Sequence, residues 1–249
     1  MKTMINLIPL NKKVEVICTK KPVQLSEKRQ NEIEAFWADI NKDEKFYRGE
    51  VFDIETVTEK KDKYKIFLNT TDYAHHLHTV WNHISDEERC RTIFSAGLVE
   101  TSDSKFIFGE MASNTAYPGR LQCAGGGLSN EDLDRDYFDL EKSVLRETKE
   151  ELAIDEDKHV ERCRPVLMKD VHIHDSLVVL YHLKVNLSES EFQENYQLYL
   201  NELKSNKEVP EFKNIVFIER NKEAVYSFFD QDYRSRDDYL EPFLKYMVE

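Results

Sequence analysis

Residues 125–154 read GGGLSNEDLDRDYFDLEKSVLRETKEELAI, and this stretch carries the most informative pattern of the 249-residue chain. Three glycines open it, a polar loop follows, and the second half has the composition and apolar spacing of a helix. On that helix Glu147, Glu150 and Glu151 stand at i, i+3 and i+4. This spacing places their side chains on one face, with neighbouring Cβ atoms about 5–6 Å apart.

Three carboxylates held this close repel one another, and each like-charge pair destabilises an isolated helix by a few tenths of a kcal/mol. A hard divalent cation reverses that sign, because Mg²⁺ prefers oxygen ligands and bridges carboxylates to substrate phosphates. The acidic face therefore predicts a metal platform, provided that its carboxylates share one side of the helix and leave room for a cation. Apolar residues around it, Val144, Leu145, Leu152 and Ile154, predict that the opposite face packs on a sheet.

The same residues resemble the Nudix box, a family motif written G-x5-E-x7-R-E-U-x-E-E-x-G-U, where U is aliphatic. Its R-E-x-x-E-E core corresponds to residues 146–151, RETKEE, and Ile154 takes the final aliphatic position. Gly125 and Glu131 fit the G-x5-E spacing. The resemblance covers residues 90 to about 220, and it includes the two strand-like runs before the glycines, which the family also has.

The chain departs from the motif in its loop and at the helix end. Fourteen residues separate Glu131 from Arg146, where the family has seven, so the loop contains an insertion. Two acids compete for the role of the loop glutamate: Glu131 fits from the glycine side and Asp139 from the helix side, one residue out of register. Ala153 replaces the last glycine of the motif and Thr148 replaces an aliphatic residue.

The resemblance implies a cofactor, a reaction and a set of site residues. Glu147, Glu150 and Glu151 would bind Mg²⁺ or Mn²⁺, and Arg146 would pair with a loop acid and hold the helix face in place. Bound metal neutralises a diphosphate and activates water, with Glu150 or Glu151 as general base. The implied catalytic residues are thus Arg146, Glu150 and Glu151. The implied substrate-binding residues are Gly125, Gly126 and Gly127, because glycine lets the backbone approach a ligand closely.

The order of elements predicts an α+β fold of the Nudix type, a mixed β-sheet between helices with a smaller N-terminal α+β module. We place the module at residues 1–88 and the hydrolase domain at 89–249. Ser26 is the expected cap of one module helix, and a second helix is expected to begin near Thr71 or Asp72. The run YKIFLNTTDYAHHL (64–77) is similar to a segment of a Nudix subgroup that hydrolyses UDP-sugars. Whether the module is a substrate lid or the arm of a homodimer stays open.

Composition disfavours several classes of function. A formal charge of −13 repels phosphate backbones and anionic membranes, which disfavours nucleic-acid binding. No apolar run of 18 residues appears and the N-terminus lacks a signal core, so we expect a cytoplasmic protein without a membrane partner. The four cysteines form no CxxC pair and are expected to be reduced and mostly buried rather than zinc ligands.

Three functions follow from these features. The first is hydrolysis of a nucleoside diphosphate linked to another group, such as a nucleotide sugar. The alternatives are a catalytically inactive Nudix-fold nucleotide sensor and an enzyme of capped RNA, which the charge disfavours. For several residues outside the motif, a structural or packing role competes with contact to a metal or substrate. They are a set of histidines and one aromatic–basic pair: His75, His76, His78, His172, His174, Tyr117 and Arg120.

Overall fold

The computed structural model describes residues 5–170 and 176–249. In chain order its strands are β1 (Leu7–Pro9), β2 (Lys13–Pro22), β3 (Glu50–Glu59), β4 (Lys63–Asp72), β5 (Ile93–Glu100), β6 (Lys105–Met111), β7 (Leu121–Gln122), β8 (Ala124–Gly127), β9 (Leu133–Asp134), β10 (Tyr137–Phe138), β11 (Val160–Lys169), β12 (Leu177–Val185) and β13 (Phe212–Glu219). The helices are α1 (Glu27–Ile40), α2 (Tyr73–Trp81), α3 (Leu140–Leu152), α4 (Glu156–His159), α5 (Glu189–Asn206), α6 (Lys222–Gln231) and α7 (Leu240–Tyr246). A 3-10 turn covers Asn130–Asp132.

The larger sheet is mixed and lies between helices, as the sequence predicts. Its strands follow the order β1-β11-β12-β5-β6-β13, with β8 paired to β5 and β7 to β6. The β12–β5 pair is parallel and the other pairs are antiparallel. Apolar residues of α3 and α5 join the core on one face, and those of α6 and α7 form the core on the other face. The fold class is therefore confirmed.

The smaller sheet shows what the loop insertion does. Its order is β3-β4-β2-β10-β9, so the hairpin β9–β10, which lies between the glycines and α3, completes a sheet of the N-terminal region. In the other direction β1 pairs with β11 of the larger sheet. Each sheet thus takes strands from the other part of the chain, and the domain boundary at residue 88 stays a prediction.

Capping side chains begin the helices at the expected residues. Ser26 accepts a hydrogen bond from the Arg29 backbone N–H at 3.2 Å, and Asp72 accepts one from that of His75 at 3.0 Å. Both bonds satisfy donors that a helix leaves unpaired in its first turn. Among the described residues, no helix combines the length and apolar character needed to cross a membrane.

Close packing against the sheet fixes the position of α3. Val144 and Leu152 are fully buried, as their spacing predicts. Gly97 of β5 lies beneath the helix, where a Cβ atom would come within 2.7 Å of Leu183 Cδ1 and 3.0 Å of Val144 Cγ2. Real Cβ contacts are not this short, so glycine at this position lets α3 approach the strand closely.

Candidate functional site

The acidic face of α3 has two inward carboxylates and one outward carboxylate. Glu151 is 2% exposed and the Glu147 side chain 13% exposed, whereas the Glu150 side chain is 57% exposed. The i, i+4 pair therefore points into the protein beside the sheet. Glu150, the residue before Glu151, points outward and lies at the rim of the site.

Arg146 joins these carboxylates to the loop. Its Nη1 lies 2.9 Å from Glu147 Oε1 and donates to Glu150 Oε2 at 3.1 Å. Its Nε and Nη2 donate to the two oxygens of Asp132 at 3.2 and 3.0 Å. A guanidinium that forks two carboxylate oxygens is held in direction as well as in position. The predicted pairing of Arg146 with a loop acid is therefore present.

The loop acid is Asp132 and not Glu131 or Asp139. Its side chain is fully buried, and its Oδ2 accepts a hydrogen bond from the Ser129 backbone N–H at 2.9 Å. Burial alone would raise the pKa of Asp132, but the hydrogen bonds from Arg146 and Ser129 lower it. Of the two expected candidates, Glu131 is exposed and Asp139 caps α3. The insertion had shifted the register by one residue, so spacing alone could not find the partner.

Glu151 is a buried carboxyl group with one satisfied oxygen. Its Oε2 accepts a hydrogen bond from the Gly125 backbone N–H at 2.9 Å. Its Oε1 is buried and, within the described part of the chain, has no hydrogen-bond partner. Burial raises the pKa of Glu151 well above its usual range, and the charges of Glu211 and Glu147 raise it further.

Glu211, just before β13, brings a fourth carboxyl group to the site. The residue as a whole is exposed, but protein atoms surround its carboxyl group, and this desolvation raises its pKa. Its charge raises the pKa of Glu151, so the two carboxyl groups interact. Glu211 is 60 positions beyond Glu151 in the chain, so no local spacing pointed to it. Only the strand order of the sheet brings the two together.

The predicted glycines lie in β8 and touch the acidic cluster. A Cβ atom at Gly126 would lie 2.5 Å from Glu147 Oε1, and one at Gly125 would lie 2.6 Å from Ala96 Cα, whereas Gly127 faces open space. Backbone atoms of Ser95 and Ala96 therefore require glycine at position 125, whereas a side chain at position 126 would displace the Glu147 carboxylate. Burial raises the pKa of Glu147, the neighbour of Gly126, to about 7, although Arg146 opposes the shift. A substrate contact of these glycines stays a prediction.

The donor set fits a hard divalent cation in its chemistry. Glu147, Glu151 and Glu211 supply carboxylate oxygens, and the unpartnered Oε1 of Glu151 is a buried acceptor that a cation would satisfy. As the side chains stand, no three Asp, Glu, His or Cys groups of the described residues are arranged to hold a metal ion. Arg146 Nη1 lies between Glu147 and Glu150, so cation binding there requires the guanidinium to move.

Two further departures from the motif have local explanations. Thr148 is fully buried and its hydroxyl donates to the Val144 carbonyl at 2.6 Å, so it satisfies its own polar group within the helix. Ala153 caps α3 in the left-handed region, with φ 57° and ψ 29°. This is the conformation for which glycine is favoured.

Of the histidines outside the motif, His75 packs within the N-terminal region. His75 is buried, with Nδ1 2.9 Å from the Thr71 hydroxyl oxygen and Nε2 2.9 Å from the Glu88 carbonyl. Both ring nitrogens are therefore used in packing the N-terminal region. His172 and His174 lie outside the described residues.

Comparisons with known proteins give fold-level likeness. Neither a protein-family model nor a curated protein sequence matches this chain. Similar solved structures include DR0079 from Deinococcus radiodurans, at 13% identity over 64% of this chain and 84% of that chain with a TM-score of 0.45. The MutT protein from Methanosarcina mazei is 13% identical over 63% of this chain and 92% of its own, with a TM-score of 0.39. The Nudix domain of Shewanella oneidensis NrtR, in complex with ADP-ribose, is 14% identical over 55% of this chain and 79% of its own, with a TM-score of 0.34. Overlaps this loose do not establish a family.

Proposed function

We propose that this protein is a Nudix-type hydrolase that cleaves the diphosphate linkage of a nucleoside diphosphate derivative with the help of a divalent cation. The observation that supports this best is the convergence of Glu147, Glu151 and Glu211, all with raised pKa values. Carboxyl groups crowded in this way cost stability unless something neutralises them. Perturbed carboxyl groups clustered beside a glycine-lined strand are typical of a functional site.

The side chains divide the work as follows. Glu147 and Glu151 would hold Mg²⁺ or Mn²⁺, with Glu150 as a further ligand from the rim once Arg146 moves. When bound, the cation neutralises the diphosphate and acidifies water. Glu151 is the better placed of the two expected general bases, because Glu150 is solvated and paired with Arg146. Glu211 raises the pKa of Glu151 and would tune how readily Glu151 accepts a proton.

Arg146 positions these groups instead of reacting itself. It ties Glu147 to buried Asp132 of the loop, so the acidic face of α3 and the loop behave as one unit. The UDP-sugar likeness of residues 64–77 falls on β4 and α2 of the smaller sheet. A nucleotide sugar is therefore one candidate substrate among the nucleoside diphosphates linked to a second group.

A phosphate-release screen tests the proposal. The purified chain is incubated with UDP-sugars, ADP-ribose, dinucleotides, NADH and nucleoside triphosphates, with and without Mg²⁺, and a phosphatase reports the products. We expect Mg²⁺-dependent turnover of at least one diphosphate. Glu151→Gln should lower kcat by about 100-fold or more, because it removes a ligand charge and the base.

The matched control is Glu141→Gln, which removes an exposed carboxylate from the first turn of the same helix. It should leave turnover unchanged, and circular dichroism should show both variants folded. Full activity of Glu151→Gln would contradict the catalytic assignment. A screen without turnover, together with retained nucleotide binding, would instead favour the inactive sensor.

A further inference from the structure

Arg120 carries an unsatisfied buried donor beside the acidic cluster. Its guanidinium lies over the Tyr117 ring, 3.8 Å from the centroid, and its Nη2 donates to Gln122 Oε1 at 2.7 Å. An Asp237 oxygen is 3.4 Å from the same Nη2. Its Nε is buried and has no acceptor among the described residues. A buried donor without a partner is unfavourable, and more so when it is charged, so an acceptor supplied from outside would complete this arrangement.

The strand alternation places Arg120 on the same face as the carboxylates. The residues on either side of Gln122 pack into the core under α6 and α7, so Gln122 and the bonded Arg120 face the other way. Further along the same segment, Gly126 faces the Glu147 carboxylate. The guanidinium therefore shares the α3 side of the larger sheet with the site.

The separation from the acids follows from the backbone hydrogen bonds. The Arg120 carbonyl accepts from the Met111 N–H at 2.9 Å, and the Glu211 carbonyl accepts from the Ala112 N–H at 2.8 Å. Arg120 and Glu211 thus flank the end of one strand from opposite sides. Two inter-strand spacings put their backbones roughly 10 Å apart. A substrate held by the carboxylates at one end can reach the guanidinium at the other.

We propose that Arg120 is a substrate-binding residue that takes a phosphate group of the nucleoside diphosphate at the end of the site remote from Glu151. This rests on the proposed function and adds to it. Gln122 gives its oxygen to Arg120, so the side-chain N–H groups that remain in the pair are all donors and suit an acceptor-rich oxyanion. A guanidinium stays charged at any working pH and forks phosphate oxygens, and the Tyr117 ring fixes its plane.

Comparing the affinity for a nucleotide with the affinity for its nucleoside separates a phosphate contact from a base contact. Calorimetry at fixed Mg²⁺ measures AMP, adenosine, UMP and uridine on the full chain and on Arg120→Gln and Arg120→Lys. Loss of a charged hydrogen bond should weaken AMP or UMP about 10-fold or more in Arg120→Gln, with the nucleosides unaffected. The KM of the hydrolysed substrate should rise by a similar factor. Arg120→Lys should recover only part of the loss, because an ammonium cannot fork two oxygens.

Arg236 offers the matched control. Its guanidinium also lies over an aromatic ring, 5.0 Å from the Phe229 centroid, and also pairs with an acid, Glu241 at 3.3 Å. Phe229 belongs to the core on the other face of the sheet. Arg236→Gln should therefore leave nucleotide affinity and KM unchanged.

Each remaining outcome decides against the assignment. Equal weakening of nucleotide and nucleoside would assign Arg120 to the base, and an unchanged KM in Arg120→Gln would remove it from the substrate altogether. If the wild-type protein and Arg120→Gln turn over a diphosphate identically, Arg120 does not bind the substrate and the proposed function still stands. Wild-type protein that neither binds nor hydrolyses any of the compounds contradicts the proposed function, and the inference falls with it.

Discussion

Ala153 holds a left-handed backbone conformation that an L-residue with a Cβ adopts at a cost of about 1–2 kcal/mol. Glycine removes that cost but loses about 0.5–1 kcal/mol through its greater freedom in the unfolded chain. We predict that Ala153→Gly raises the free energy of unfolding by about 0.5–1 kcal/mol, measured by urea denaturation. Glycine favours the conformation that already ends α3, so the carboxylates before it should stay in place and activity should be unaffected.

The same chemical change inside a helix should have the opposite sign. Ala35 is exposed in the interior of α1, where glycine costs about 1 kcal/mol relative to alanine. Ala35→Gly should therefore destabilise the protein. A loss of stability in both variants would show that the conformation at Ala153 is not strained.

The sequence predicted which residues of α3 belong to the site, but it did not predict which residues they contact. The i, i+3, i+4 spacing identified the three acids because helical geometry is local. It did not show that Arg146 would lie between Glu147 and Glu150, since that depends on side-chain rotamers. Asp132 escaped because the loop is longer than the motif, and Glu211 because its proximity is created by strand order.

At the scale of elements, the hairpin β9–β10 ties the loop of the site to the smaller sheet. Phe138 is 5% exposed, and its ring centroid lies 4.6 Å from that of Phe52 in β3. We predict that Phe138→Ala lowers the free energy of unfolding by about 3–5 kcal/mol, measured by urea denaturation. Turnover should fall as well, because the hairpin continues from the turn that contains Asp132, the partner of Arg146.

Tyr137, the neighbouring residue of β10, is the natural control. Tyr137 is 53% exposed, so Tyr137→Ala should cost much less stability than Phe138→Ala. Similar losses in the two variants would mean that the hairpin is stabilised by its backbone ladder alone. Sequence patterns could not have predicted this hairpin, because strands of two residues have too few positions to show alternation. The long elements, by contrast, were predictable from apolar period and caps.

At the scale of the whole molecule, the two sheets share one apolar core. Val16 and Ile66 of the smaller sheet belong to the same buried cluster as Val179 and Leu183 of the larger sheet and Val144 of α3. The site therefore lies on a framework built from both parts of the chain. The order of elements predicted an α+β protein with two regions. Contacts between distant segments decide how the regions join, and these contacts leave no local pattern in the sequence.

Divalent cations should stabilise this framework through the acidic cluster. A ligand that binds only the folded state at 100 times its Kd adds about 2.7 kcal/mol to the free energy of unfolding. For a chain of this size, that corresponds to a rise in Tm of roughly 5–10 °C. We predict such a rise with Mg²⁺ for the wild-type chain and for Glu141→Gln, followed by calorimetry, and its loss in Glu151→Gln. The chain also has a charge of −13, which any salt screens, so NaCl at equal ionic strength is the reference. If NaCl reproduced the shift, or if Glu151→Gln retained it, the cations would be acting on the surface charge and not on the carboxylates of α3.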